Sequence, residues 1–226
     1  MAVHEKPDDY ERLRVAFTAV VSHELRTPLA RLLAILETAA LPGADPAEHL
    51  AQARAEVEEM RELVDDILFL SELETGAAAV ALADTPVRPV VDDLVRELGE
   101  SADRAAVDVR VDVTEDASVP LRPRMLRVVL ENLVRNVLRY AGPHTTCTIG
   151  ARDRELVVAD DGAGVEAHEL PRLFERFYRS DRARSSRGTG LGLAIVKHIA
   201  TAAGGEVAAE PTPGGGLTVR VRFPRP

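Results

Sequence analysis

The sequence predicts a helical hairpin followed by an α+β two-layer sandwich, because two properties change together near residue 76. Residues 1–76 contain 16 acidic and 7 basic side chains, whereas residues 77–226 contain 21 of each. Periodicity changes at the same place, from purely helical spacing to helices interleaved with alternating strands. A chain of 226 residues is long enough for two domains. We therefore assign residues 1–76 to the hairpin and residues 77–226 to the sandwich.

The hairpin consists of two long predicted helices joined by a short turn. The first covers residues 8–40, and Pro28 should kink it because proline lacks the backbone N–H and its ring clashes with the preceding turn. Asp45 is the expected N-cap of the second helix, with Pro46 at its first position. That helix is expected to run to about Thr75 and to end at Gly76.

A heptad-spaced apolar seam runs along the second helix, whose other faces are strongly acidic. The seam consists of Leu50, Ala53, Val57, Met60, Val64 and Ile67. A hairpin alone leaves one apolar stripe uncovered, so we expect a symmetric homodimer that forms a four-helix bundle. The alternative is that the seam packs on the rest of its own chain.

The sandwich is predicted from helices and strands that follow one another along the rest of the chain. Helices are expected near 88–101, 122–140, 167–176 and 190–203. Strands are expected at Val107–Val113, where valines alternate with charged residues, and near 145–151, 155–160, 205–210 and 217–223.

Composition excludes several classes of protein. The formal net charge of −9 argues against a nucleic-acid binder. Cys147 is the only cysteine, which excludes an intrachain disulfide and a cysteine-built zinc site. The longest apolar runs fall well short of the ~18 residues of a membrane span, and no signal peptide precedes the first helix. We therefore expect a soluble segment that makes no membrane contact itself.

Two glycine-containing motifs indicate a nucleotide site. Gly188-Thr189-Gly190-Leu191-Gly192 opens a helix, where backbone amides favour an anion, but it matches neither a P-loop nor a Rossmann fingerprint. Asp160-Asp161-Gly162-Ala163-Gly164 ends an apolar strand. An ionised carboxylate only accepts hydrogen bonds, so Asp160 would favour the amino group of adenine. Each motif alone also fits an ordinary turn.

Further polar groups lie near these motifs in the predicted fold. Asn132 and Asn136 are four residues apart on one face of the helix at 122–140, and an amide oxygen is a suitable ligand for Mg²⁺. The alternative is that both cap neighbouring loops. A basic stretch before the first motif is interpreted as a lid over a polyphosphate, although a basic loop is usually a solvated surface. Its arginines are Arg176, Arg179, Arg182, Arg184 and Arg187.

One histidine stands out by its neighbours. His23 lies within the first helix, is followed directly by Glu24 and precedes the helix-kinking Pro28. A histidine without such neighbours is usually an exposed helix or loop residue. We interpret the others in that way: His4, His49, His144, His168 and His198.

Together these motifs resemble the catalytic core of bacterial two-component sensor histidine kinases over nearly the whole chain. In chain order, the segments resemble the H box (Phe17–Leu29), the N box (Asn132–Tyr140), the G1 box (Asp160–Gly164), the F box (Leu173–Arg179), the G2 box (Gly188–Leu193) and a last glycine box (Gly214–Gly216). Arg139, Asp161 and Val137 replace a common lysine, asparagine and alanine. None of these changes removes a group that the chemistry needs.

The resemblance implies an ATP-binding sandwich of the type shared with gyrase and the heat-shock chaperone, with ATP and Mg²⁺ bound. It places Asp160 on the adenine amino group, Tyr140 against the nucleotide, and Asn136, alone or together with Asn132, at Mg²⁺. Arg139 and Arg179 would contact phosphates. The glycine-box residues implied in nucleotide binding are Gly162, Gly164, Gly188, Thr189, Gly190, Leu191 and Gly192.

The resemblance also assigns the phosphoryl acceptor and its partner. His23 would accept the phosphoryl group, Glu24 would take the proton from its other ring nitrogen, and Thr27 would orient water when the partner is dephosphorylated. The partner would be a response regulator with an acceptor aspartate. The chain would be a cytoplasmic segment of a membrane-anchored sensor kinase.

Three other functions remain open at this point. A non-catalytic dimeric scaffold that docks a response regulator would lack an essential asparagine, aspartate or glycine, and none is missing. A kinase that works mainly as a phosphatase of its partner would use the same residues. Another ATPase of the same fold is disfavoured by the H box and its hairpin.

Overall fold

The computed structural model describes residues 7–75, 84–180 and 188–225, with side chains from residue 21 onward. Within these residues the chain forms five α-helices and seven β-strands. It divides into two compact units, of which the first ends at Asp65 and the second begins at Asp66. No helix in the described part of the chain is both long and apolar enough to cross a membrane.

Helices α1 (Pro7–Ala39) and α2 (Pro46–Glu74) confirm the two predicted long helices. α1 continues as one helix through Pro28. Asp45 caps α2 as expected, since its Oδ1 accepts the N–H of Ala47 at 2.9 Å and that of Glu48 at 3.5 Å. The predicted stop at Gly76 lies outside the described residues.

Polar contacts join α1 to α2 across the hairpin. The guanidinium of Arg31 lies 3.5 Å from the Glu56 carboxylate and 3.8 Å from that of Glu59. Glu56 is only 5% exposed and shares this face of α2 with buried Ala53 and Leu63. Burying a carboxylate among apolar groups is costly unless it is paired, so Arg31 makes this face of α2 compatible with burial.

The predicted seam of α2 divides into a covered part and an exposed part. Ala53 is buried and Met60 half-buried, whereas Leu50, Val57 and Val64 are 55%, 52% and 41% exposed. Three leucines at helical spacing on α1 are equally exposed: Leu29, Leu33 and Leu36. We call these six side chains the exposed apolar row. The uncovered stripe expected from the sequence is therefore present in the described hairpin.

The second unit is built on a five-stranded mixed sheet in the order β2-β4-β5-β7-β6. Its strands are β2 (Val107–Val113), β4 (Thr145–Arg152), β5 (Glu155–Asp160), β6 (Glu206–Pro211) and β7 (Leu217–Arg222). β2 and β4 pair in parallel, and the other neighbours pair antiparallel. Two short strands, β1 (Thr85–Pro86) and β3 (Ser118–Val119), form a separate antiparallel pair.

Three helices cover one face of this sheet, which gives the predicted two-layer sandwich. They are α3 (Val87–Ala105), α4 (Pro123–Tyr140) and α5 (Gly192–Ala202). α4 buries Leu126, Leu130 and Leu133, and α5 buries Ile195 and Ile199. Alternate residues of the strands complete the core, among them Ile149, Leu156, Val158 and Val221. Each buried side chain of this size contributes roughly 1.5–3 kcal/mol to folding.

Two expectations for this unit were wrong in extent. The helix predicted near 167–176 is reduced to a 3₁₀ turn at Leu170–Arg172, because Pro171 supplies no backbone N–H and Phe177 adopts a positive φ of 62°. The helix predicted near 88–101 extends from Val87 to Ala105. The pairing of β1 with β3 was not predicted, since strands of two residues leave no readable period.

Candidate functional site

One face of α4 forms a wall of a pocket in the second unit. Asn136 and Tyr140, which are one turn apart, line this pocket together with Leu133 and Val137. The opposite wall comes from β5, the loop after it and β7. α4 is therefore placed by its apolar side chains, and its polar side chains at positions 136 and 140 reach the pocket.

Asp160 lies at the pocket, at the end of β5, and is only 7% exposed. Burial raises the pKa of its carboxyl group; hydrogen bonds from the backbone N–H groups of Gly162 and Leu217 oppose this rise, and the charge of Asp161 adds to it. The Gly162 N–H donates to Oδ1 at 2.9 Å. A buried carboxylate with mostly apolar neighbours suits a ligand that donates an N–H, as the amino group of adenine does.

The last glycine box packs directly against Asp160. Gly216, with a φ of 100°, lies so close to Asp160 that a Cβ atom would collide with the Asp160 backbone and come within 2.8 Å of its Oδ1. Gly164 in turn packs on Gly216. A glycine at position 216 is thus required both by the positive φ and by this close approach.

Asp161, which replaces the common asparagine, has a structural partner. Its Oδ1 accepts the backbone N–H of Thr146 at 2.6 Å, and this bond is the main reason that the pKa of Asp161 is lowered. The bond follows directly after the last β4–β5 pair, Cys147 opposite Asp160. It fixes the start of the G1 box to the start of β4.

Cys147 is fully buried opposite Asp160. Burial raises the pKa of its thiol to about 12, and the charge of Asp160 acts in the same direction. The thiol is therefore protonated at neutral pH and unreactive in the folded protein.

Asn132 contacts the first residue of α5. Its side-chain amide donates to the carbonyl of Val128 at 2.9 Å. A Cβ atom at Gly192 would lie 2.6 Å from the Asn132 Oδ1, so this oxygen points at the start of α5. Gly192 is needed here for the close approach of an amide oxygen.

The G2 box begins beside the end of α4. Gly188 contacts the Tyr140 hydroxyl group, and a Cβ atom at Gly188 would lie 3.0 Å from Nη1 of Arg139. The Thr189 hydroxyl accepts the N–H of Leu191 at 3.2 Å, and the Leu191 side chain is fully buried. The structure thus brings the N box and the G2 box together, and Leu191 contributes its side chain to the core.

Of the predicted nucleotide residues, Asn136, Tyr140, Asp160 and Gly164 line the pocket, and the others lie outside its lining. Gly162 packs against the Ala141 backbone at the end of α4, and Gly190 packs against Phe177. Arg179 is half-buried at the end of the F box. Arg182, Arg184 and Arg187 of the predicted lid lie outside the described residues.

Apolar pocket residues were missed at the sequence level. They are Leu133, Val137, Ala141, Val158, Val165, Leu217 and Val219. Two of them carried a usable signal: Val158 lies two residues before Asp160 and so on the same face of β5, and Val137 lies three residues before Tyr140 and so on the same face of α4. The others depend on how loops and β7 meet α4.

The predicted acceptor lies on α1 in the first unit. His23 is exposed and Glu24 is half-buried. The Thr27 hydroxyl donates to the His23 carbonyl at 3.2 Å, which is the usual local bond of a threonine inside a helix. Among the described residues of the first unit, none covers the imidazole of His23, so other molecules can reach it.

Amide oxygens, which Asn132 and Asn136 carry, are of a chemical type that can bind a magnesium ion together with phosphates. The Asn132 amide nitrogen donates to the Val128 carbonyl, and its oxygen lies beside Gly192 at the start of α5. In the described residues no three His, Cys, Asp or Glu side chains lie together as a protein-built metal site would require. Mg²⁺ keeps several waters and binds phosphate oxygens, so it requires few ligands from the protein.

Comparison with known families matches both units. The model of the His Kinase A (phospho-acceptor) domain matches residues 13–76, and that of the histidine kinase-, DNA gyrase B- and HSP90-like ATPase matches residues 121–226. The chain belongs to the sensor histidine kinase family. The sensor-like histidine kinase SenX3 of Mycobacterium tuberculosis is 34% identical over 98% of this chain. The chain spans 57% of the length of SenX3.

Solved structures of histidine kinases have the same fold. ShkA in complex with AMPPNP gives a TM-score of 0.62 at 26% identity, covering 97% of this chain and 46% of that one. ThkA in complex with the response regulator protein TrrA gives a TM-score of 0.75 at 19% identity, covering 96% of this chain and 64% of that one. The histidine kinase fold predicted from the sequence motifs is therefore confirmed for this chain.

Proposed function

We propose that this chain is the catalytic core of a protein histidine kinase, which uses ATP to phosphorylate His23 and passes the phosphoryl group to an aspartate of a response regulator. The observation that carries the proposal is the buried Asp160 in a mostly apolar pocket whose other wall presents Asn136 and Tyr140. The same chain presents an exposed histidine beside a carboxylate on α1.

The pocket residues would select and orient ATP. Asp160 accepts a hydrogen bond from the adenine amino group, and the apolar walls at Val137, Val158 and Val219 exclude water from the ring. Arg139 and Arg179 balance phosphate charge. Mg²⁺ held by Asn136 and Asn132 would neutralise charge on the phosphates.

His23 would act as nucleophile. A neutral imidazole has a nitrogen lone pair that forms a bond to the γ-phosphorus, while the bond from that phosphorus to the bridging oxygen breaks and ADP leaves. The proton on the other ring nitrogen passes to Glu24, which also stabilises the positive ring. Thr27 would orient the water that removes the phosphoryl group from the partner when the partner is dephosphorylated.

The exposed apolar row supports a homodimer. Its six large side chains lie at helical spacing on two adjacent helices, and since each is about half exposed, burying the rest of each against a second copy would contribute roughly 1 kcal/mol. The response regulator partner is supported by the ThkA–TrrA structure. Location in the cytoplasm as part of a membrane-anchored sensor stays a prediction.

Labelling with radioactive ATP tests the proposed activity. We expect a label that survives base and is lost in acid, as a phosphohistidine does. His23→Gln should abolish the label while ATP still binds, and His49→Gln on the same hairpin should keep it. Asn136→Ala should lose binding of Mg-ATP in calorimetry. A stable label on the His23→Gln protein, or unchanged Mg-ATP affinity in Asn136→Ala, would contradict the assigned roles.

The same experiment separates the kinase from a docking scaffold. A scaffold would bind a response regulator but would neither bind ATP nor acquire label. A chain that binds ATP and releases phosphate without a labelled histidine would instead be an ATPase of the same fold.

A further inference from the structure

A buried carboxylate, Glu169, lies between the G1 box and the F box and does not line the nucleotide pocket. It is only 5% exposed. Its Oε2 accepts the backbone N–H of Glu166 at 3.3 Å, and its own N–H donates to the Glu166 carbonyl at 2.9 Å. Burying a carboxylate is costly unless it receives hydrogen bonds, and the Glu169 carboxylate receives them from nearby residues.

The second oxygen of Glu169 holds the F box. Its Oε1 accepts the hydroxyl group of Tyr178 at 3.1 Å. The guanidinium of Arg172 lies over the Tyr178 ring, 4.3 Å from its centre, and Arg172 also pairs with Glu175 at 3.3 Å. Tyr178 is therefore fixed at its hydroxyl group and at one ring face.

The backbone at Tyr178 is fixed as well. The preceding residue, Phe177, has a φ of 62° and donates its N–H to the Gly190 carbonyl at 2.9 Å. A Cβ atom at Gly190 would lie 2.8 Å from the Phe177 carbonyl carbon and 3.0 Å from the Tyr178 carbonyl oxygen. A non-glycine residue with a positive φ persists only where its surroundings hold it, and here the F box is held against the G2 box.

Arg179, the implied phosphate contact of the F box, directly follows Tyr178. The place from which Arg179 extends is therefore set by the tyrosine side chain before it. We propose that Glu169 is a positioning residue for phosphate binding: through its hydrogen bond with Tyr178 it fixes the backbone that carries Arg179 beside the G2 box. This inference rests on the proposed function of the pocket as an ATP site.

The alternative is that Glu169 only stabilises the fold. The two roles differ in what they change. A purely structural loss weakens every ligand of the pocket together. Loss of positioning weakens binding of the phosphates and leaves the adenine pocket around Asp160 intact, because Glu169 and Tyr178 are not among its lining residues.

Tyr178→Phe is the sharpest test, because it removes the hydroxyl group and keeps the ring against Arg172. We expect Mg-ATP affinity to fall about five- to tenfold, as loss of one hydrogen bond to a charged group would allow. Both affinities are measured by competition with one fluorescent ATP analogue. The affinity for adenosine should stay within twofold of that of the wild type. The ratio of the two affinities is the decisive readout.

Variants at Glu169 show whether the two residues act together. Glu169→Leu should reproduce the selective loss of ATP affinity and should add little to it in the Tyr178→Phe protein. Glu169→Gln keeps an acceptor for the tyrosine and should retain most of the ATP affinity. Thr85→Val is the matched control: it removes another buried hydroxyl bond, 2.5 Å to the Leu121 carbonyl, and should lower the melting temperature without changing the ratio.

Two outcomes would overturn the inference. If ATP and adenosine affinities fall together in Tyr178→Phe, Glu169 has a structural role only. If neither affinity changes, the hydrogen bond has no role in binding. Failure of the wild-type protein to bind ATP at all would be a different result, since it would refute the proposed function on which the inference rests.

Discussion

Asp160 is subject to two opposing influences at the scale of a single residue. Burial makes its charged form unfavourable, while two backbone N–H groups favour that form, and the net result is a raised pKa. In the proposed ATP site, the ionised form is the one that would accept a hydrogen bond from adenine. The residue therefore combines a hydrogen-bond acceptor with mostly apolar surroundings.

The raised pKa predicts an acid limit for nucleotide binding. As pH falls through this pKa, Asp160 takes up a proton and its ability to accept a hydrogen bond from adenine is reduced. ATP affinity should therefore fall at a higher pH than it would with an ordinary aspartate, whose pKa is about 3.9. Asp161→Asn removes a neighbouring negative charge that raises the pKa of Asp160, so it should move this limit to lower pH. The asparagine oxygen can still accept the N–H of Thr146, so the local structure should be kept.

Calorimetric titration of ATP as a function of pH checks this expectation. Asp116→Asn, which changes an exposed aspartate in the turn before β3, is the matched control and should leave the pH limit where it is. A limit that is the same in the wild type and in Asp161→Asn would mean that Asp161 does not influence the recognition group.

At the scale of elements, α4 and α5 meet where glycine allows it. Asn132 on α4 directs its oxygen at Gly192, the first residue of α5. A methyl group at this position would come within 2.6 Å of that oxygen, so the short asparagine side chain would have to turn away. The contact thus couples the packing of two helices to the orientation of an implied magnesium ligand.

Gly192→Ala should therefore weaken Mg-ATP binding by about tenfold, equivalent to about 1.4 kcal/mol, while the free energy of unfolding changes by about 1 kcal/mol, the low end of the cost of overpacking, because only the end of a side chain has to move. Gly99→Ala in α3 is the matched control, because no atom lies within 4 Å of the added methyl group. It should leave binding unchanged and favour the helix slightly. Both affinities are measured by calorimetry, and equal values for the two variants would rule out this role of Gly192.

Elements with a sustained period were predictable, and those set by distant contacts were not. α4 was predicted to within one residue, because Pro123 and a long apolar stripe define it. Residues 167–176 carry Leu170, Leu173 and Phe174 at helical spacing, yet they form only a 3₁₀ turn. Pro171 and the positive φ of Phe177 limit the helix, and the segment is held by the Glu169–Tyr178 bond and by the packing of Gly190 on Phe177, neither of which leaves a period in the sequence.

The candidate site shows the same division. Its polar residues could be predicted because amide, carboxylate and glycine positions form recognisable motifs. The apolar wall could not, because Val165, Leu217 and Val219 become pocket residues only when β7 pairs with β5 and the loop after β5 folds over them. The polar groups of the site could therefore be predicted from single motifs, whereas the shape of the pocket depends on the assembled sheet.

At the scale of the whole molecule, the exposed apolar row determines the expected assembly. A homodimer would cover Leu33 and Val57, and a charge placed among these side chains would be buried without a partner. The dimer is therefore expected to be sensitive to changes that leave each hairpin helix intact.

Val57→Glu should convert the dimer to a monomer at micromolar concentration, as measured by light scattering after gel filtration. Ala51→Glu adds the same charge on the acidic side of α2, in line with Glu58 and Asp65, and should remain dimeric. A wild-type monomer, or a dimer that survives Val57→Glu, would remove the exposed apolar row as the dimer face.

The burial of Cys147 has a practical consequence for studying this kinase. The thiol of Cys147 is buried and has a pKa of about 12, so maleimide probes added at neutral pH will not react with it in the folded protein. A cysteine introduced on α1 and another on α3 could therefore carry fluorophores or spin labels without first replacing the natural one. Distances between the phospho-acceptor helix and the nucleotide domain could then be followed during turnover.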